Sequence, residues 1–186
     1  MNRRVLILFA HPALHKSRVN RHLIAAVRDL PGVKLHDLYE EYPDLFIDVD
    51  REQRLLTEHD VIVWHHPFYW YSCPALLKEW LDLVLEYGFA YGDTGTALRG
   101  KQALTVITTG GPQDSYRSDG FNQYTIEQLL APFAQTARLC GMEYLPPHVI
   151  HGTHRLSKAE VAQCTEDYRG RIGGLCGSGA EMAKSA

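Results

Sequence analysis

Short runs of consecutive apolar residues alternate along the chain with stretches in which apolar residues return every three or four positions. Val5 to Ala10 is the first run, and its freedom from polar interruption fits a strand covered on both faces. His11, Pro12 and a polar stretch to Ser17 end it, and Val19, Leu23, Ile24 and Val27 then recur at helical spacing as far as Pro31-Gly32. Val33, Leu35 and Leu38 mark a second strand, and the intervening Lys34, His36 and Asp37 place it near a sheet edge. Asp50 is the expected cap of a helix carrying Leu55 and Leu56.

The stretch from Val61 to Leu85 organises the rest. It reads as an apolar strand, an aromatic loop, and a helix opened by Pro74 that carries Leu76, Leu77, Trp80, Leu81 and Leu85, with Trp80 in the core. Phe89 to Arg99 has glycines and no period, and is expected as an irregular, mobile excursion near the functional site. Lys101 to Thr109 makes a fourth strand that Gly110-Gly111-Pro112 stops. Ile126, Leu129, Leu130, Phe133 and Ala137 predict a helix that Pro132 kinks or divides. Tyr144 to Ile150 supplies a fifth strand, and Ser157 with Glu160 resembles a capping box opening a last helix through Tyr168 and Ile172. The expectation is one domain over 1–172, followed by a disordered Gly/Ser/Ala-rich tail over 173–186.

Alternating strands and helices predict an α/β three-layer sandwich around a five-stranded parallel sheet, whose order by analogy with other doubly wound folds is 2-1-3-4-5. That order brings the loops after strands one, three and four to a common crevice, and these loops carry the unusual residues. The first offers His11 and then Ser17, Arg18, Val19 and Asn20 at a helix N-terminus, where open N–H groups suit a phosphate; a plain capping role for Ser17 is the competing account. The second, Pro67, Phe68, Tyr69, Trp70 and Tyr71, offers ring faces to a flat conjugated ligand such as a flavin, or else packs a surface or subunit interface. The third, Thr108, Thr109, Gly110 and Gly111, continuing to Tyr116, lets the main chain approach a ring closely and supplies a phenol for developing negative charge; a simple tight turn would use the same glycines.

Composition narrows the options. At 186 residues and 45% hydrophobic the chain can bury a sizeable core, and a net charge of -3 gives no bulk attraction to nucleic acid. Cys73, Cys140, Cys164 and Cys176 lack CxxC spacing, and no basic segment with an apolar run precedes Val5, so reduced thiols and a cytoplasmic location are expected. No GxGxxG, GxxxxGK[ST] or GxSxG motif is present. His148, His151 and His154, like His65 and His66, would alternate between faces of an extended chain, and no metal site is expected from them.

The chain resembles the NAD(P)H:quinone oxidoreductases of flavodoxin-like fold. The resemblance rests on Ala10-His11-Pro12, Ser17 to Asn20, Pro67 with Trp70-Tyr71, Pro74 to Trp80, Gly88-Phe89-Ala90-Tyr91 and Thr108 to Gly111, which together span nearly the whole domain. Within that family it is most similar to the ancillary proteins of glutathione-gated potassium efflux systems, through Leu38-Tyr39, Tyr42-Pro43-Asp44, Ile47-Asp48 and Ser72 to Leu77. The resemblance implies a bound flavin, FMN in preference to FAD, and a homodimer with sites near the subunit interface. It also implies hydride transfer from NADH or NADPH to a quinone or related electrophile by ping-pong exchange, with Tyr116 as the family's active-site tyrosine. Asn122 stands where the larger quinone reductases have a histidine, and an amide cannot titrate. A flavin-binding regulator of a potassium efflux transporter, held peripherally at the inner face of the membrane, is the alternative function. A one-electron flavodoxin is a third, disfavoured by the lack of a strongly acidic composition.

Overall fold

The computed structural model describes residues 2–177. Its sheet runs β2 (Val33–Asp37), β1 (Val5–Phe9), β3 (Val61–Pro67), β4 (Gln102–Thr108) and β5 (Glu143–Tyr144), with β6 (His148–Ile150) also on β4 and every pairing parallel. The expected order 2-1-3-4-5 is therefore present, and β2 is the edge strand. The fifth position is filled in two pieces because Pro146 and Pro147 have no N–H to donate to β4. Pairing resumes at His148, so that Ile150 ends level with Thr108.

Side chains of each strand alternate between two apolar layers. Val5, Ile7, Phe9, Val61, Val63, Leu104 and Val106 pack with α1 (Arg18–Val27) and α7 (Lys158–Cys176). Leu6, Leu8, Ile62, Trp64, Ala103 and Ile107 pack on the other face, beneath α4 (Ala75–Val84) and α6 (Ala131–Leu139). That second face also holds α2 (Leu38–Glu41), α3 (Val49–Glu58) and the short α5 (Ile126–Leu129). Trp80 is fully buried there, as expected.

A carboxylate lies inside the second layer. Glu52 Oε1 accepts hydrogen bonds from His36 Nε2 at 2.8 Å and the Tyr42 hydroxyl at 2.5 Å, while Oε2 accepts from Trp80 Nε1 at 2.7 Å. Burial raises its pKa, but these donors outweigh burial and leave it below the ordinary carboxylate value. One side chain thus joins β2, the α2–α3 connection and α4.

Two boundaries differ from the sequence expectation, and the division at Pro132 is as expected. Asp48, not Asp50, caps α3, its Oδ1 accepting from Arg51 N–H at 3.0 Å; Asp50 sits in the first turn, where its charge complements the helix dipole. The helix expected across Pro132 is divided into α5 and α6, with the proline in the first turn of α6. The last helix does not stop at Ile172: it runs to Cys176, because Tyr168, Ile172 and Leu175 continue one buried stripe and Cys176 O accepts from Arg3 N–H at 3.0 Å. The rest of the expected tail, 178–186, lies outside the described residues. Among the described residues no helix is long and apolar enough to cross a membrane.

Candidate functional site

The parallel register brings the carboxyl ends of β1, β3, β4 and β6 to one crevice of about 400 Å3, a volume in the range of small-molecule sites. His11, Ser17, Asn20, Pro67, Phe68, Tyr69, Thr108 and Gly110 line it, all of them named from the sequence. Lys16, Thr153 and His154 line it too, and these the sequence reasoning missed.

On the first loop the capping account of Ser17 holds. Its Oγ accepts from Asn20 N–H at 3.2 Å and from Asn20 Nδ2 at 3.0 Å. The main-chain N–H groups of Arg18 and Val19, in the same first turn, have no intrahelical partner and remain open to an anion. The Val19 side chain belongs to the core, and the Arg18 guanidinium reaches to the carbonyls of Thr153 and Leu156, so neither side chain is directed to the crevice. His11 Nδ1 accepts from Ala13 N–H at 3.1 Å, which puts the ring proton on Nε2. Burial lowers the pKa of His11, and the ring stays a neutral donor.

Asn20 is held by a relay that starts on α7. The buried Tyr168 hydroxyl lies 2.9 Å from His65 Nδ1, His65 Nε2 lies 3.0 Å from Asn20 Oδ1, and Asn20 Nδ2 reaches Ser17 Oγ and, at 3.0 Å, Thr108 Oγ1. Only one assignment satisfies every atom: Tyr168 donates to Nδ1, and Nε2–H donates to Asn20. Burial holds the pKa of His65 well below its ordinary value, which keeps the ring neutral and the relay in that sense. The strand end that the sequence offered only as a poor metal ligand fixes two loops against each other.

The aromatic loop is a tight reversal. Ser72 N–H donates to Tyr69 O at 3.0 Å, and the two central residues, Trp70 (φ 50°) and Tyr71 (φ 60°), both adopt the left-handed conformation. Such turns favour Asn-Gly, and each larger residue costs about 1–2 kcal/mol in this region. Trp70 is nonetheless 93% exposed, so burial within this chain does not offset the strain. Neither Trp70 nor Tyr71 lines the crevice.

Across from the aromatic loop, two glycines stand close against side chains. A Cβ on Gly110 would come within 3.3 Å of the His154 ring, and one on Gly111 within 3.3 Å of Tyr116. Thr109 Oγ1 donates to Gly111 O at 2.8 Å and lies 3.2 Å from His151 Nδ1. The Tyr116 ring centre is 6.2 Å from Phe68 and 5.5 Å from His151. Burial raises the phenol pKa, tempered by Thr109 and Asn122, so Tyr116 remains protonated at neutral pH. Asn122 Oδ1 accepts from the Tyr71 hydroxyl at 3.1 Å, joining the aromatic turn to the third loop.

Of the residues expected at the site, Arg18, Val19, Trp70, Tyr71, Thr109, Gly111, Tyr116 and Asn122 do not line the crevice, and neither does the irregular excursion after α4. The excursion from Phe89 to Arg99 packs elsewhere, with Ala90 and Leu98 fully buried in the second layer. Arg117 makes a two-pronged pair with Asp119 at 2.9 Å in solvent. Within the fifth-strand histidines, His148 stacks toward Tyr168, His151 faces Tyr116 and His154 faces Gly110, so the three diverge.

The chain is 53% identical to the glutathione-regulated potassium-efflux system ancillary protein KefG of Pectobacterium carotovorum subsp. carotovorum, over 82% of this chain and 84% of that one. General stress protein 14 from Treponema denticola, solved in complex with FMN, is 40% identical and superposes with a TM-score of 0.89 over 92% of this chain and 99% of that chain. An NADPH-quinone reductase from P. pentosaceus is 33% identical, with a TM-score of 0.83 over 90% and 96% of the two chains. With the profile of the flavodoxin-like fold family matching residues 3–172, and with the sheet order that fold requires, the chain belongs to the flavodoxin-like family.

Proposed function

We propose that the crevice binds FMN and that the protein moves two electrons as hydride from NADH or NADPH to a quinone or related electrophile. The observation that carries this reading is the donor set. Open N–H groups at Arg18 and Val19 with His11 Nε2–H suit a phosphate, the half-buried Phe68 and exposed Tyr69, Trp70 and Tyr71 offer ring faces to a flat ligand, and Gly110 and Gly111 let the main chain come close to a ring edge near Tyr116. The structure of Treponema denticola general stress protein 14, whose ligand is FMN, supports the choice of flavin over other flat ligands.

When bound, the flavin would supply the hydride chemistry, accepting from the nicotinamide and passing two electrons to the acceptor. The protein's part is separate. The α1 N-terminus and His11 hold the anion; the aromatic turn fixes the ring; Tyr116, kept protonated by burial, donates toward negative charge arising at the opposite edge. Nicotinamide and acceptor would use the same open face in turn, giving ping-pong kinetics. A homodimer would cover exposed Trp70, Phe121 and Tyr124.

The curated relative's name supports a second role. At 53% identity to an ancillary protein of a glutathione-regulated potassium-efflux system, the chain would dock as a cytoplasmic partner on such a transporter. Reduction of the bound flavin by anaerobic NADPH or NADH tests the enzyme, and no bleaching by either would sink it. Transporter activation by Tyr116→Phe, loaded with flavin but slow to turn over, separates the roles: a purely regulatory effect survives and a turnover-dependent one is lost.

A further inference from the structure

Basic charge is unevenly placed in this chain. The net charge is -3, yet no Asp or Glu precedes Asp29, while Arg3, Arg4, Lys16, Arg18, Arg21 and Arg28 all do. Several of these cations have work inside the fold. Lys16 lines the crevice, Arg3 donates to Gln102 Oε1, and Arg18 donates to the carbonyls of Thr153 and Leu156. Arg21 and Arg28 are different: both are exposed, and among the described residues neither forms an ion pair. Arg21 also stands at the end of the first turn of α1, where the helix dipole disfavours positive charge, so helix stability does not account for it.

The two arginines flank a groove on the solvent side of α1. They line a space of about 470 Å3 together with Leu14, His22, Ile24 and Ala25. Leu14, Ile24 and Ala25 give it an apolar floor, and the small, exposed Ala25 leaves its middle open. Seven residues separate Arg21 from Arg28, which is two helical turns, or about 10 Å along the axis. Two cations at that spacing, with apolar surface between them, match a peptide carrying carboxylates two turns apart better than a single small anion. They are also too few for stable attachment to an anionic bilayer, which takes a cluster of about four or more.

We propose that this groove is a docking surface for a protein partner: it takes an acidic helical segment whose two carboxylates pair with Arg21 and Arg28 while an apolar side chain between them rests on Ala25. This rests on the reading of the chain as an ancillary subunit, and the segment belongs to the transporter. The groove is distinct from the crevice, so docking leaves the FMN site open.

The test uses the FMN-loaded chain and vesicles of phosphatidylethanolamine and phosphatidylglycerol, with and without the glutathione-regulated potassium-efflux transporter of the same organism. The native chain is expected to cosediment only with transporter vesicles, and less as salt rises. Arg21→Glu with Arg28→Glu should weaken that binding at least about tenfold and leave FMN affinity unchanged. Arg54→Glu with Arg138→Glu makes the same change of charge at exposed positions of α3 and α6, across the sheet, and should leave binding within about twofold of native. Undiminished binding in the first pair, an equal loss in the second, or equal binding to vesicles without transporter overturns the proposal. Should the first pair fold poorly, seen as loss of FMN, Arg21→Gln with Arg28→Gln takes its place with the same loss expected and the same result overturning it. A native chain that binds neither vesicle fails the ancillary reading itself, and the proposal falls with it; native binding that the first pair retains fails this proposal alone.

Discussion

Two buried polar networks lie on opposite faces of the same sheet and do opposite work. The Glu52 cluster closes on itself, with both carboxylate oxygens occupied by His36, Tyr42 and Trp80 and no member on the crevice. The relay from Tyr168 through His65 and Asn20 ends at Ser17 and Thr108, which line it. A sealed network can only hold the fold together. One that ends at a cavity also sets where ligand donors stand, and the contrast can be broken by mutation.

Glu52→Ala is expected to cost the most, about 3–5 kcal/mol, because three donors would remain buried without an acceptor. Chemical denaturation measures the loss, while FMN affinity of the folded fraction should stay within a few-fold of the native value. A collapse of affinity at full stability would erase the distinction.

Acid acts on both networks and on His66, a buried ring outside either, in separate windows. Burial lowers His66 to about 4 and His65 well below its usual value, so the unfolded chain takes up protons from pH 6.5 downward and the native chain does not. Stability therefore falls as pH drops below 6.5, by on the order of 3 kcal/mol by pH 4 for His66 alone. Glu52, with a lowered pKa, adds its loss only below the unfolded carboxylate value. Urea titrations across pH should show the histidine part shrink in His66→Leu.

Asn20→Ala should cost about 1–3 kcal/mol by leaving the His65 donor buried without a partner. FMN binding is predicted to weaken at least tenfold as the Ser17 turn loosens, a shift calorimetry would detect. Unchanged affinity would show that the relay supports the fold only. The smallest effect is at the aromatic turn, where Trp70→Gly removes left-handed strain and raises stability by up to about 1 kcal/mol while weakening FMN binding.

Much of this was legible from periodicity and punctuation. Uninterrupted strands at Val5 and Val61, glycines after β4 and the aromatic loop after β3 are local signals, and parallel topology makes them converge. His154 was passed over as a crevice residue because the histidines around the fifth strand were weighed only as a metal site. The Pro146-Pro147 break lets β6 end level with β4, a matter of register that residue type does not announce. The partners of Glu52 and His65 are ten to more than a hundred residues away, beyond any local pattern. The extra turn of α7 was hidden by Gly173 and Gly174, which composition reads as a stop although packing of Leu175 carries the helix on.

The account stands or falls on the crevice taking a flavin. Titrating the purified chain with FMN, followed anaerobically by NADPH or NADH, should give a one-to-one complex with a perturbed absorbance band that bleaches on reduction and recovers when a quinone is added. A chain that leaves the FMN spectrum and fluorescence unchanged at every ratio would contradict it.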